Sequence, residues 1–371
     1  MHKRSSALVG LACAMAGFMT YAATPPPCAA GSGYQPLCGI EPPEDLVLSP
    51  DGRYLLMGIT PGLSGQHASR LRIMDLATQQ ARDLPLSVAP QAGWGEESCA
   101  APDKLLGAHG IHLSPRVDGR QQLLVVNHNG REAIEFLELK PLDGSWVAVW
   151  HGCVEQRGSG RFNDVAATPG GGLVATVMFE SDSMAPAIPL EQLLDGRDTG
   201  YLMTWAPGLP LVKVKGSDAP FPNGVQVSAD GRQAWFAAWT AKEVRQFDLQ
   251  QGTTRQRIVL DFMPDNLSWT AKGQLLAAGI EDPDVFRACF KARDEHCASA
   301  FQVALIDPEQ ATAEVLFKAP PGLLAGASVA LEVGTKLFVG AYTGDRLLKL
   351  DGMPESIRQG RSDPESITGS Q

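Results

Sequence analysis

Apolar residues in this chain fall in short runs separated by turns rich in Gly, Asp and Pro, and helical spacing is nearly absent. Short apolar runs bounded by turn residues predict strands. One pattern recurs six times: an apolar residue, small or polar residues, a turn with Gly, then an apolar strand. Its copies are Leu48-Ser-Pro-Asp-Gly52, Leu113-Ser-Pro-Arg-Val-Asp-Gly119, Ala167-Thr-Pro-Gly-Gly171, Val227-Ser-Ala-Asp-Gly231, Trp269-Thr-Ala-Lys-Gly273 and Ala330-Leu-Glu-Val-Gly334. The glycine falls where one strand must reverse into the next, a role that often needs positive φ. Predicted strands after these turns are Tyr54–Gly58, Gln122–Val126, Leu173–Val177, Ala234–Ala238, Leu275–Gly279 and Leu337–Ala341. A further strand follows each, at Leu71–Leu76, Ala133–Leu139, Tyr201–Trp205, Val244–Leu249, Phe301–Ile306 and Arg346–Leu350. The best helix candidate is Ile188–Leu194.

The turn glycines lie 42 to 67 residues apart, which leaves room for four strands and their loops in each unit. Six such units predict an all-β, six-bladed β-propeller, with a β-sandwich as the competing fold. The predicted propeller runs over 24–353, and 354–371, rich in Ser, Gly, Asp and Arg, reads as a flexible tail.

Stacking the copies yields candidate chemistry. Counting back eight residues from the turn glycine gives Glu44, Asn163, Asn223 and Asp265 in four copies. The second turn is longer, and counting from its leading apolar residue gives His109. The sixth copy gives Gly326, which has no side chain to offer. Equivalent positions in a propeller share one height around the axis, so these residues should converge on the central channel. The following residues add Asp45, Asp164 and Asn266. Carboxylate and amide oxygens without thiolates select a hard cation, and calcium tolerates that mixture better than magnesium. A channel lined with hydrogen-bonded polar groups and water is the competing reading.

Charge and cysteines set the compartment and exclude some partners. The net charge is −10, with no basic patch, which argues against nucleic acid. Residues 1–23 predict a signal peptide: Lys3 and Arg4, an apolar run from Ala7 to Met19, then Ala22 and Ala23. No other stretch is apolar enough to predict a membrane span. Cys13 would leave with the signal, and the six remaining cysteines suit an oxidising compartment, secreted or periplasmic. Short loops favour Cys28–Cys38 and Cys289–Cys297, which leaves Cys99–Cys153, although spacing alone does not choose among all the pairings.

Several signatures in order resemble the paraoxonase (arylesterase/lactonase) family, from about Cys38 to Lys349. They are Gly39-Ile-Glu-Pro-Pro-Glu44-Asp45-Leu46, His109-Gly-Ile111, Leu124-Val-Val-Asn-His128, Asn163-Asp164, Phe221-Pro-Asn223-Gly and Asp265-Asn266-Leu, with Ser328–Leu331 leading into Leu337-Phe-Val-Gly. The gluconolactonase and senescence-marker propellers are related and share part of the metal set. The resemblance implies a calcium-dependent hydrolase of lactones or aryl esters with two ions. Glu44, Asn163, Asn223, Asp265 and Asn266 would hold a catalytic calcium. Asp45, Asp164 and the carbonyl of Ile111 would hold a structural one. His109 and His128 would form the family's histidine dyad, whereas His112 and His151 look ordinary. The implied partner is a small lactone or ester; no protein partner is implied. Sugar lactonase activity and a non-catalytic, calcium-stabilised binding propeller are the alternatives.

Three departures from the family pattern stand out. Ile280-Glu281 replaces a Cys-His pair, and Met178-Phe179 replaces Asp-His. The family's disulfide joins the chain ends; its first cysteine matches Cys38, but Lys349 stands at the second position. The apolar segment Phe179–Thr199, with Met184, Ile188, Leu190 and Leu193–Leu194, is expected to overhang the channel.

Overall fold

The computed structural model describes residues 28–102 and 106–351. The expected signal peptide and C-terminal tail lie outside these residues. Six sheets form six blades, five of them four-stranded and antiparallel. The second blade gains a short fifth strand, Leu86–Val88, parallel to Ser145–Glu155. The innermost strands are Pro43–Leu48, Ala108–Pro115, Gly160–Thr168, Pro222–Val227, Met263–Trp269 and Ala327–Val333. Each contacts the next around the ring, and the last returns to the first. The predicted second and third strands of every blade are present, with ends shifted by at most a few residues.

Burial explains the blade stacking. Six apolar clusters each draw on two adjacent blades, so every sheet buries both faces against its neighbours. The ring closes with strands from both chain ends: Tyr34–Cys38 pairs with Arg346–Leu350 and completes the sixth blade. Cys38 bonds to Cys28 within this N-terminal segment, while Lys349 faces Gln35 across the closing pair. Strand pairing, and no disulfide from Cys38 to position 349, therefore closes this blade. The bonds Cys99–Cys153 and Cys289–Cys297 also form, completing the expected pattern.

All six turn glycines adopt φ between +60° and +84°. The repeat extends to side-chain chemistry. Ser49 donates to Asp51 at 2.6 Å and accepts from the Tyr54 N–H, and Ser228 does the same with Asp230 and Gln233.

Helix formation was only half anticipated. The predicted Ile188–Leu194 contains a single turn, Leu190–Leu193. A longer helix, Pro283–Ala292, was not expected. Its start signal is in the chain: the Asp282 side chain caps the Asp284 N–H and Pro283 occupies the first turn.

Candidate metal centre and histidine relay

Every innermost strand breaks register with its neighbour at the height of the candidate ligands. The interruptions bracket Glu44, His109-Gly110, Asn163-Asp164, Asn223-Gly224, Asp265-Asn266 and Ser328. A β-bulge leaves a residue outside the ladder and re-aims its side chain. Six bulges at one height explain why a regular count recovers the ring. In the sixth blade the bulge falls at Ser328 rather than Gly326. There the hairpin turns in two residues, with Val333 opposite Lys336, so counting back from Gly334 overshoots. Two glycines let these strands meet closely. A Cβ on Gly110 would collide with the Asp164 carboxylate, and one on Gly224 with the Asn266 backbone.

All five residues expected around one ion are buried, and side-chain hydrogen bonds join four of them in two pairs. Asn266 Nδ2 donates to Glu44 Oε1 at 2.7 Å and to the Glu44 carbonyl at 3.1 Å. Ser328 Oγ also donates to that carbonyl, at 2.6 Å. Asn223 hydrogen-bonds the Asp265 carboxylate, and Asn163 Nδ2 has only the Met178 sulfur, at 3.9 Å. Four oxygens remain buried without any partner: Glu44 Oε2, Asn163 Oδ1, Asn223 Oδ1 and Asn266 Oδ1. An unsatisfied buried polar atom costs about 1–3 kcal/mol, so four in one channel call for a shared donor or cation. Burial, followed by the charge of Glu44, pushes the Asp265 carboxyl well above its ordinary value. An orphaned all-oxygen set containing two carboxylates fits calcium.

Asp45 and Asp164 differ. Asp45 accepts from the Leu46 N–H at 2.8 Å and the Ile111 N–H at 2.7 Å. Asp164 accepts from the N–H groups of Val165 and Val225, both at 2.7 Å. Ile111 thus meets Asp45 through its N–H. Burial and the charge of Glu44 raise the Asp45 pKa to about 8. Burial and the charge of Asp45 raise Asp164.

The two histidines also meet. His109 Nδ1 lies 2.8 Å from His128 Nε2, and His109 Nε2 lies 3.6 Å from Glu44 Oε1. Burial opposes charge on His109, but the carboxylates of Glu44, Glu132 and Asp45 outweigh it and raise its pKa. His128 Nδ1 reaches Glu132 Oε2 at 3.0 Å. Sequence reasoning missed Glu132, although Asn129-Gly130 marks the turn that sets it opposite His128. Asn127 secures the base of this turn by accepting from the Gly107 N–H at 2.7 Å. His112 is half-buried and desolvation pushes it down to about 4, and His151 bonds Ala89 and Glu138; neither joins the pair.

Two apolar clusters gather residues that neighbour the ring strands in sequence. Met178 and Phe179 pack with Ile188, Leu190 and Leu193 of the segment expected to overhang the channel, whereas Met184 of that segment is exposed. Trp239, Met263 and Ile280 pack with Leu194, Phe221, Phe286 and Tyr342 in a second cluster. Phe286 comes from the unanticipated helix, whose Lys291 pairs with Glu191 of the expected overhang at 2.8 Å. The Tyr342 hydroxyl has no partner, and burial together with the Asp265 charge raises its pKa. Glu281 is not in the ring: it accepts from Gln302 at 3.0 Å and pairs with Lys318 at 3.1 Å. Among the described residues, no helix is long and apolar enough to cross a membrane.

The family described as SMP-30/Gluconolactonase/LRE-like region matches residues 94–294, just over half of the chain. The protein belongs to that family of propellers. Among solved structures, a luciferin-regenerating enzyme superposes with a TM-score of 0.52 at 14% identity, covering 85% of this chain and 93% of the other. A putative gluconolactonase gives 0.50 at 14%, covering 86% and 92%. These likenesses concern the fold. No curated protein sequence matches the chain.

Proposed function

We propose that the chain is an exported, calcium-dependent hydrolase that opens lactones and cleaves aryl esters, as the paraoxonase-like signatures imply. One observation carries this reading. Four orphaned buried oxygens lie on the predicted ligands, and the His109–His128 pair reaches Glu44 beside them. A structural plug would need the oxygens but not the histidine pair. When bound, calcium would polarise the substrate carbonyl and offset the negative charge that develops on its oxygen. Glu44, Asn163, Asn223, Asp265 and Asn266 would hold it. Asp45 and Asp164 are the proposed ligands of a second ion, since each carboxylate keeps lone pairs beyond the two used by N–H donors.

In this reading His109 takes a proton from water through Nε2 as the water oxygen attacks the carbonyl carbon. The same proton passes to the leaving oxygen as the ester bond breaks, which returns His109 to its starting form. His128 holds the imidazole in line. The apolar side chains of Met178, Phe179, Phe221 and Trp239 favour an apolar acyl or aryl group. A sugar lactone is the second reading, favoured by the gluconolactonase family match. Three disulfides support export.

Purified protein assayed on acyl lactones, sugar lactones and aryl esters, with and without a calcium chelator, tests the proposal. Calcium-dependent turnover of acyl lactones or aryl esters is expected. Preference for sugar lactones selects the second reading, and turnover that ignores the chelator overturns the role of calcium. Export predicts that the protein fractionates outside the cytoplasm with its N-terminal segment removed.

A further inference from the structure

The histidine pair ends on a group that nothing so far explains. Glu132 is almost fully buried, yet it sits in a turn where an exposed side chain would suffice. Its Oε1 accepts from the Phe162 N–H at 2.7 Å. Its Oε2 faces both Arg161 Nη1, at 3.2 Å, and His128 Nδ1, at 3.0 Å. Phe162 directly precedes Asn163 in the ring, so the carboxylate is tied to the same strand that presents a metal ligand.

We infer that Glu132 is a positioning residue that sets the tautomers of both histidines, leaving His109 Nε2 unprotonated toward the channel. The inference rests on the proposed role of His109 as the base. Hydrogen-bond arithmetic supports it. A carboxylate only accepts, so the proton of neutral His128 must sit on Nδ1. His128 Nε2 is then an acceptor. His109 Nδ1, 2.8 Å away, must therefore be the donor. A neutral His109 protonated on Nδ1 has its lone pair on Nε2, the atom that lies 3.6 Å from Glu44. Arg161 keeps the carboxylate itself paired, at 3.2 Å. This places Glu132 in the role of the third group that orients a base in a catalytic triad.

Long-range proton–nitrogen NMR of the histidine side chains in the full, calcium-loaded protein tests this directly. Spectra would be recorded roughly two units above the ordinary histidine pKa of about 6.5, with His109 and His128 assigned from His109→Gln and His128→Gln. Wild-type protein should show both rings protonated on Nδ1. A wild-type His109 protonated on Nε2 overturns the inference without any Glu132 variant. In Glu132→Gln the amide oxygen is claimed by the Phe162 N–H, which turns the amide NH2 toward His128. Both ring protons should then move to Nε2. Lactone turnover kcat should fall about 10–100-fold, with KM within about threefold and calcium affinity unchanged. Unchanged tautomers in Glu132→Gln overturn the inference. Tautomers that follow Glu132 in a protein lacking hydrolase activity sustain it while refuting the proposed function.

Discussion

Glu44 and Asp45 are neighbours in sequence, as are Asn163 and Asp164, yet the chain treats the members of each pair differently. Glu44 and Asn163 each keep one buried oxygen without a partner. Asp45 and Asp164 each receive two backbone N–H donors. Those donors tie together strands from different blades: Asp45 holds Ile111 of the second, and Asp164 holds Val225 of the fourth. One set keeps buried acceptors free, and the other staples neighbouring blades together. Position in a repeat predicts where a side chain sits. Only its hydrogen bonds show what it is free to do.

The largest expected effect comes from removing a staple. Asp164→Ala or Asp45→Ala orphans two buried N–H groups, at about 1–3 kcal/mol each. A loss of about 2–5 kcal/mol is expected in denaturant unfolding, tempered by relief of the repulsion that raises both carboxyls. Asn163→Ala should cost far less in metal-free protein. Equal losses would erase the distinction between the two sets.

Next comes calcium itself. Free calcium at about 100 times its Kd should stabilise the fold by about 2.7 kcal/mol, read as a higher melting temperature that chelation reverses. The metal-free protein should also respond to pH in an unusual direction. Asp45, Asp164 and Asp265 are raised first by burial and then by a neighbouring charge, that of Glu44 at Asp45 and Asp265 and that of Asp45 at Asp164, with Asp45 raised to about 8 from an ordinary 3.8. At these three groups the folded state therefore binds more protons than the unfolded state across that window, against fewer at His112. Its stability is complete below about pH 4 and falls as pH rises toward 8. Calcium should flatten this slope by taking the place of the protons. Metal-free stability that rises over the same range would mean that these carboxyls are not raised.

Smaller effects follow from single ligands of the orphaned set. Asn223→Ala or Asp265→Asn should lower calcium affinity at least tenfold, about 1.4 kcal/mol, measured by titration calorimetry. Changes in metal-free stability should stay near 1 kcal/mol. A fold that collapses in Asn223→Ala would place Asn223 among the staples.

Much of this contrast was legible in the chain, because it lies in local spacing. The turn glycines fixed the repeat period, and the period placed Glu44, His109, Asn163, Asn223 and Asp265 at one height. The bulges kept that count valid wherever the turns were alike, and it failed at Ser328, where the hairpin is tighter. Hydrogen-bond saturation was not legible. The partners of Asp45 and Asp164 come from blades some 60 residues away, and no local pattern records such a contact. The two apolar clusters beside it were only partly legible, since the helix Pro283–Ala292 is announced by its cap rather than by a long apolar period. Glu132 escaped because its role depends on a hairpin that folds it back onto His128.

The smallest effect is expected at Glu281, and it sharpens the comparison from outside. The sequence resemblance sets this residue against a histidine of the paraoxonase pattern, which would make it a third kind of channel carboxylate. Its partners place it elsewhere: Gln302 donates to it, and Lys318, more than half exposed, pairs with it. An ion pair of this kind contributes about 0–1 kcal/mol. Glu281→Gln keeps a hydrogen-bond acceptor for Gln302 and removes only the charge. It should therefore leave calcium affinity and turnover within about twofold, and stability within about 0.5 kcal/mol. A clear loss of calcium binding in this variant would mean that its carboxylate reaches the ion when calcium is present. The ring would then hold three kinds of carboxylate, and partners seen without the ion would not suffice to sort them.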